Sequence, residues 1–394
     1  MTDLTRWRDE FPILSQTIYM ISNSLGAMPR RTADDLAEYA RTWATRGVRA
    51  WEERWWEMPL EVGGRIARII GAPAGSVSMH ENVTTAHMIA LSSLQPSGSK
   101  RRIVCTEMDF PSMLYLYRAQ QTRGFELAMV PAEDDLSIRA ERLLDAIDDA
   151  TAVVACSHVL FRTSAILDAA AIIRRAHAVG APVILDAYQS AGVVPLDVTA
   201  LGVDFAVGGC LKWLCGGPGN AFLFTRPDLL KTIRPSFTGW QAHETPFGFE
   251  SEMRYADDAW RWLNGTPAIP ALYAAIEGPR IVRRAGVDRI REKSIRQTSR
   301  LIALADERGY KVTAPRDSSR RGGTVAFDVP HSYGVAQALL AEHVIVDYRP
   351  NAGIRVAPHF YTSDDELERA VAMIDDIVRT EAWQPFEARR GVVT

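Results

Sequence analysis

The stretch that most constrains this chain runs over residues 181–219, APVILDAYQSAGVVPLDVTALGVDFAVGGCLKWLCGGPG. An apolar run at 183–185 ends on a carboxylate, Asp186. A second run, 203–207, is interrupted by Asp204 and leads to Lys212, which a Gly-Gly-Pro-Gly bend follows. Short apolar runs without alternation belong to strands covered on both faces, so the stretch calls for a sheet between layers of helix.

The same rhythm extends to either side. Strands are expected at 102–105, 126–130, 151–156 and 221–224, with helices at 111–123, 136–147 and 168–179. This alternation implies an α/β fold with a mostly parallel sheet covered by helices. The run 221–224 follows Lys212 after only a tight turn and is expected to return antiparallel. Ligands of such sheets sit beyond the carboxyl ends of the strands, where Glu81-Asn82, Asp109-Phe110 and Asp186 would lie.

Upstream, a short strand at Ile18 turns into Asn23-Ser24-Leu25-Gly26, and 31–70 reads as mainly helix. Its tryptophans, Trp43, Trp51, Trp55 and Trp56, read as packing residues. A strand at 76–80 runs through a polar turn into a helix over 86–94. Downstream, 226–267 is rich in loops and aromatic residues. A helical stretch over 268–308 is broken at Gly278-Pro279 and Gly286. Strands at 323–328, 344–348 and 353–358 and helices at 333–343 and 364–379 then make a smaller α/β unit, whose last helix opens on the capping box Ser363 to Glu366. The expected division is an N-terminal segment, 1–30, packing with the small domain, a large cofactor-binding domain, 31–267, and a linking helix with the small C-terminal domain, 268–394.

Bulk properties narrow the partners. A net charge of −3 gives no footprint for nucleic acid or an anionic membrane. Four cysteines, scattered without a CxxC pair, point away from a zinc site or a disulfide framework and towards a reducing compartment. The first residues mix both charges without an apolar core, so no signal peptide is expected, and no apolar run approaches the roughly 20 residues of a membrane helix. A soluble, cytoplasmic protein without a metal is expected.

Lys212 is flanked by Cys210, Leu211, Trp213 and Leu214, an apolar setting that desolvates an amine and keeps part of it neutral. An amine of that kind and a strand-end carboxylate are what pyridoxal 5′-phosphate needs, one for its aldehyde and the other for its pyridinium nitrogen. A plainer reading stays open, in which Asp186 caps the next turn and Lys212 is a surface lysine. The turn at 81–85 enters a helix start suited to a phosphate, or Asn82 or Thr84 is simply its N-cap. Arg355, inside the strand 353–358, either points outward or makes a bidentate contact to a carboxylate, such as that of an amino-acid substrate. Gly265-Thr266-Pro267 reads as an ordinary turn whose hydroxyl can meet a phosphate.

Taken together, Asn23-Ser24-Leu25-Gly26, Asp109-Phe110-Pro111-Ser112, Lys212 with its Gly-Gly-Pro-Gly, 239–244 and 353–358 resemble the kynureninases, in the class V aminotransferase-like branch of fold-type I pyridoxal-phosphate enzymes. The resemblance covers about residues 18–380. It implies that Lys212 binds the cofactor's aldehyde and shuttles the substrate's Cα proton, that Asp186 is the pyridinium partner, and that Phe110 stacks on the ring. Val83 and Thr84 match the phosphate turn, and Gln189 takes the place of a cofactor-binding histidine. Trp240 and the loop carrying Asn264 and Thr266 resemble phosphate contacts donated by a second subunit, which implies a homodimer with shared sites. Asn23, Ser24, His243 and Arg355 match substrate-binding positions. The implied reaction is hydrolytic Cβ–Cγ cleavage of L-kynurenine or a related γ-oxo amino acid, giving L-alanine and an anthranilate-type acid in tryptophan catabolism. Three departures, Met113 for an aspartate, Gln189 for the histidine and Leu211 for a tyrosine, point to an altered chemistry or substrate. The alternatives are a class V aminotransferase, epimerase or β-lyase of cysteine desulfurase type, and, further off, a non-catalytic regulator.

Overall fold

The structure, a computed structural model, describes residues 4–387; residues 1–3 of the expected N-terminal segment and 388–394 of the expected C-terminal domain lie outside the described residues. Strand β1 (Ile18–Tyr19) precedes the seven strands of the main sheet. These are β2 (Val77–His80), β3 (Arg102–Thr106), β4 (Glu126–Val130), β5 (Thr151–Ser157), β6 (Val183–Asp186), β7 (Phe205–Gly209) and β8 (Ala221–Thr225). Next come β9 (Lys311–Val312), β10 (Val325–Asp328), β11 (Val344–Ile345), β12 (Asp347–Arg349) and β13 (Gly353–Val356).

The main sheet has the order β2-β8-β7-β6-β5-β3-β4. Its strands β3 to β7 pair in parallel, and β8 is antiparallel to both neighbours, as the tight turn after Lys212 requires. Alternate side chains feed two cores. Val154, Cys156, Val183, Leu185 and Ala206 belong to one, while Val153, Ala155, Ile184, Phe205 and Val207 belong to the other. Each such aliphatic side chain contributes about 1.5–3 kcal/mol on burial, which is why these strands carry almost no polar residue. The polar residues collect at the carboxyl ends. There the buried carboxylate of Asp109 accepts from the Thr106 N–H (2.8 Å) and the Ser157 N–H (2.7 Å), tying together the loops after β3 and β5.

The smaller sheet, β12-β13-β10-β9, is antiparallel and packs around its own core, which includes Phe327, Ile354 and Val356. Ile18 and Met20 enter that core, and β1 pairs in parallel with β11. The Asn23-Ser24-Leu25-Gly26 turn is thereby anchored between the two sheets.

Several elements differ from expectation. The helix expected over 136–147 is confined to Ala140–Asp145, because Leu136 is left-handed (φ 62°) and the Ser137 N–H is taken by Asp135 Oδ1 (3.0 Å). The strand expected over 344–348 is divided at Val346, since β11 pairs with β1 while β12 pairs with β13. The helical stretch 268–308 breaks after Ala274 and not at Gly278-Pro279. Pro279 lies in the first turn of Glu277–Ala285, where a missing N–H costs nothing, and Gly286 (φ 87°) makes the second break. Among the described residues, no helix is long and apolar enough to cross a membrane.

Candidate active site

Lys212 lies in the turn after β7, and its side chain is buried. Burial, and then the guanidinium of Arg355, hold its amine well below the usual lysine range, with Asp186 working against them. Asp186 ends β6, and burial pushes its carboxyl up, opposed by a hydrogen bond from the Tyr188 N–H (2.8 Å) and by the charge of Lys212. Asp186 therefore fastens the turn behind it and also lines a cavity. The surface-lysine reading does not survive the burial of Lys212.

That cavity, of about 300 Å³, brings together Lys212, Asp186, Asn23, Phe110, Gln189 and Arg355. Ser24 and Val83 also line it, as do Met113 and Leu211, two of the departures noted in the sequence. Phe110 immediately precedes helix Pro111–Ala119, is 42 % exposed at the cavity wall, and has its ring centroid 5.9 Å from Lys212 Nζ. A second ring near Lys212 belongs to a residue that sequence reasoning passed over. The Tyr188 ring centroid is 4.2 Å from Nζ. Gly209 makes room for that ring, since a Cβ there would stand 2.0 Å from Tyr188 Cε2.

Helix Val83–Ser92 starts beside the cavity. Asn82 is its N-cap, with Oδ1 accepting from the Thr85 N–H (2.9 Å). The first intrahelical bond runs from Ala86 N to Asn82 O, so the Val83 and Thr84 N–H groups lie ahead of it and face outward. The Asn82 cap therefore leaves those two N–H groups unused by the helix, and the two readings of this turn are compatible. Thr84 itself does not line the cavity.

The turn Asn23–Gly26 is pressed against the lysine loop. The Gly26 N–H donates to Leu211 O (2.8 Å), and a Cβ on Gly26 would sit 2.1 Å from Lys212 O. Only glycine permits that approach. Gln189 braces the same junction, donating from Nε2 to Asn23 O (2.9 Å) and accepting from the Trp213 Nε1–H (3.1 Å). The Asn23 side chain is buried, and neither its amide oxygen nor its amide nitrogen has a partner among the described residues.

Arg355 makes a bidentate contact, but to a carboxylate of its own chain. Its Nε donates to Asp347 Oδ1 (2.7 Å), its Nη2 to Asp347 Oδ2, and its Nη1 to Phe161 O (2.6 Å). Asp347 was missed in the sequence. Its signal was the Asp-x-Arg spacing of 347–349, which puts two charged side chains on one face of a strand beside Arg355.

Besides Thr84, four predicted residues stand outside this cavity. Trp240 packs on Trp56 and Phe249. Asn264 turns its side chain back onto the Gly265 N–H (2.7 Å), and Thr266 is exposed. His243 is buried within its own loop, with Nδ1 accepting from the Thr245 N–H (2.9 Å) and Nε2 donating to Glu252 O (3.1 Å). Both ring nitrogens of His243 are occupied there.

The donor set fits pyridoxal phosphate. A desolvated amine, a strand-end carboxylate, an exposed ring and a helix start converge on one cavity, and an unpartnered buried amide there calls for a polar ligand.

The sequence matches the family described as aminotransferase class-V over residues 18–360. It is 32% identical over 404 residues to the kynureninase of Burkholderia pseudomallei (strain 1106a), covering 98% of this chain and 95% of that protein. The kynureninase of Pseudomonas fluorescens is 31% identical over 403 residues, with the same coverage. Among solved structures, the cysteine desulfurase of Thermococcus onnurineus NA1 superposes with a TM-score of 0.85 at 22% identity, covering 96% of this chain and 99% of that one. The cystine C–S lyase C-DES in complex with cysteine persulfide gives 0.84 at 22% identity, covering 93% of this chain and 99% of that one. At such identity these two speak for the fold.

Proposed function

Because the chain belongs to the class V aminotransferase family, and within it to the kynureninases, we propose that it is a pyridoxal-phosphate-dependent enzyme cleaving the Cβ–Cγ bond of a γ-oxo amino acid by hydrolysis. The observation that carries this reading is the convergence of Lys212, Asp186 and Arg355 on one cavity. The products are L-alanine and the acid derived from the γ-carbonyl, and L-kynurenine and its ring-substituted relatives are the substrate class.

Bound pyridoxal phosphate supplies an electron sink for the charge that develops on the substrate carbons. Lys212 provides the amine for its aldehyde and, once released, a base of lowered pKa that takes a proton from Cα and returns it. Asp186 would hold a proton on the ring nitrogen, and Phe110 would pack against the ring. Val83 and Thr84 offer N–H groups to the phosphate at a helix start. Arg355 would receive the α-carboxylate, Asn23 and Ser24 line the same cavity, and Gln189, with one Nε2–H given to Asn23 O, has a second to offer the cofactor.

A desulfurase reading is disfavoured by the thiols. All four cysteines are free and buried, and burial pushes Cys210 and Cys215 up to about 12, so no exposed thiolate is available to carry sulfur. Buried free thiols are in keeping with a cytoplasmic enzyme. We further infer a homodimer in which Trp240, Asn264 and Thr266 serve the partner's site, and His243, held within the same loop region, supports that surface. Incubation of the loaded protein with L-kynurenine or 3-hydroxy-L-kynurenine should yield L-alanine and the matching anthranilate in equal amounts. Pyruvate, a keto acid or no turnover on either compound would overturn the reading.

A further inference from the structure

Strands β12 and β13 pair with Asp347 directly across from Arg355 and Arg349 across from Gly353. Cross-strand partners and residues two apart share a face, so Asp347, Arg349 and Arg355 all project from the same side of this hairpin. The fourth corner is glycine, which leaves Arg349 without a side chain opposite it. Both arginines line the cavity that holds Lys212.

Their hydrogen bonds are unequal. Arg355 commits three of its five N–H groups, two to Asp347 and one to Phe161 O. Arg349 donates from Nη1 only to the neighbouring Tyr348 carbonyl (2.8 Å), and its Nη2 stands 3.4 Å from Asp347 Oδ2. Asp347 is fully buried, and among the described residues it is the one acid within ion-pair reach of either guanidinium. Two guanidinium groups share one carboxylate, so the wall carries one uncompensated positive charge. The unpartnered amide of Asn23 faces the same cavity.

We propose that Arg349 shares the substrate's α-carboxylate with Arg355, and that Asp347 is the positioning residue that holds both guanidinium groups for it. The charge balance matches one carboxylate, and the donors left on the two arginines, with the Asn23 amide, supply its hydrogen bonds. This inference rests on the amino-acid reading above and adds a specificity determinant to it.

The test uses the pyridoxal-phosphate-loaded protein and two probes, L-alanine and L-alaninamide, with binding read from the change in visible absorbance. The amide carries a neutral carboxamide in place of the carboxylate. Losing one charge-assisted contact should weaken L-alanine about tenfold or more in Arg349→Gln, while L-alaninamide stays within about twofold. Arg349→Lys, which keeps the charge, should recover most of the loss and guards against a folding defect. Asp347→Asn should weaken L-alanine in the same selective way. Unchanged L-alanine binding in Arg349→Gln, or equal weakening of both probes, would overturn the proposal and leave the amino-acid reading intact. A wild-type protein that responds to neither probe would overturn both.

Discussion

The indole N–H of Trp213 donates to Gln189 Oε1 at 3.1 Å, while the amide nitrogen of Gln189 donates to Asn23 O at 2.9 Å. One side chain thus ties the residue after the catalytic lysine candidate to the N-terminal turn. Trp213 is locked from the other side as well, since its carbonyl accepts from His359 Nε2 (2.9 Å). Gln189→Ala should therefore leave two buried groups without partners and cost about 1–3 kcal/mol of stability. Urea unfolding of the apoprotein measures this. Trp213→Phe removes one of the same bonds, so the double variant should lose less than the sum of the two single losses.

The pH behaviour of Lys212 follows from its surroundings. Burial and Arg355 both favour the neutral amine, so the apoprotein's Lys212 should become reactive at lower pH than its surface lysines. Pulse acylation across a pH series, read by peptide mass spectrometry, gives the profile. Arg355→Gln removes the largest electrostatic cause of the depression, and the profile should move towards higher pH. A shift in the other direction would mean that losing the Arg355–Asp347 pair rearranges the site.

Much of this arrangement was legible in the chain. The strands around Asp186 and Lys212 declared themselves because a sheet buried on both faces admits almost no polar residue, and the antiparallel β8 followed from the short turn before it. What could not be read is what pairs segments distant in sequence. Nothing in residues 181–219 says that Gln189 reaches Asn23, or that Gly26 must be glycine because Lys212 O lies against it. Arg355 was recognised as an arginine in want of a carboxylate, but the partner it finds in the chain is Asp347, set by the register of two strands. Tyr188 carried no signal of its own in the sequence, and only the fold turns its ring onto Lys212.

Gly209 and Tyr188 form a pair that can be tested by complementation. A Cβ at 209 would lie 2.0 Å from Tyr188 Cε2, so Gly209→Ala must displace the ring that lies beside Lys212. The variant should bind pyridoxal phosphate at least about tenfold more weakly, on the scale of the 1–3 kcal/mol that overpacking costs. Adding Tyr188→Ala to the same chain removes the collision and should recover much of the affinity. Equilibrium titration by visible absorbance distinguishes this coupling from a general loss of fold, which the second substitution would deepen.

The aromatic surface around Trp240 bears on assembly. Trp240, Phe247 and Phe249 are 40 %, 61 % and 78 % exposed, and the first two pack on Trp56 at 5.1 and 4.7 Å between centroids. A contiguous patch of that kind is costly in water and is what the proposed homodimer would cover. Trp240 and the Asn264–Thr266 loop would then reach the neighbouring cofactor only within a pair of chains. Phe249→Asp places a charge in the middle of the patch without touching the cavity that holds Lys212. In sedimentation at low micromolar concentration the wild type should run as a dimer and the variant mainly as a monomer. The monomer should also hold pyridoxal phosphate about tenfold or more weakly, because it lacks the partner's phosphate contacts. Monomers that keep full cofactor affinity would show that each site is complete within one chain, and would remove these three residues from it.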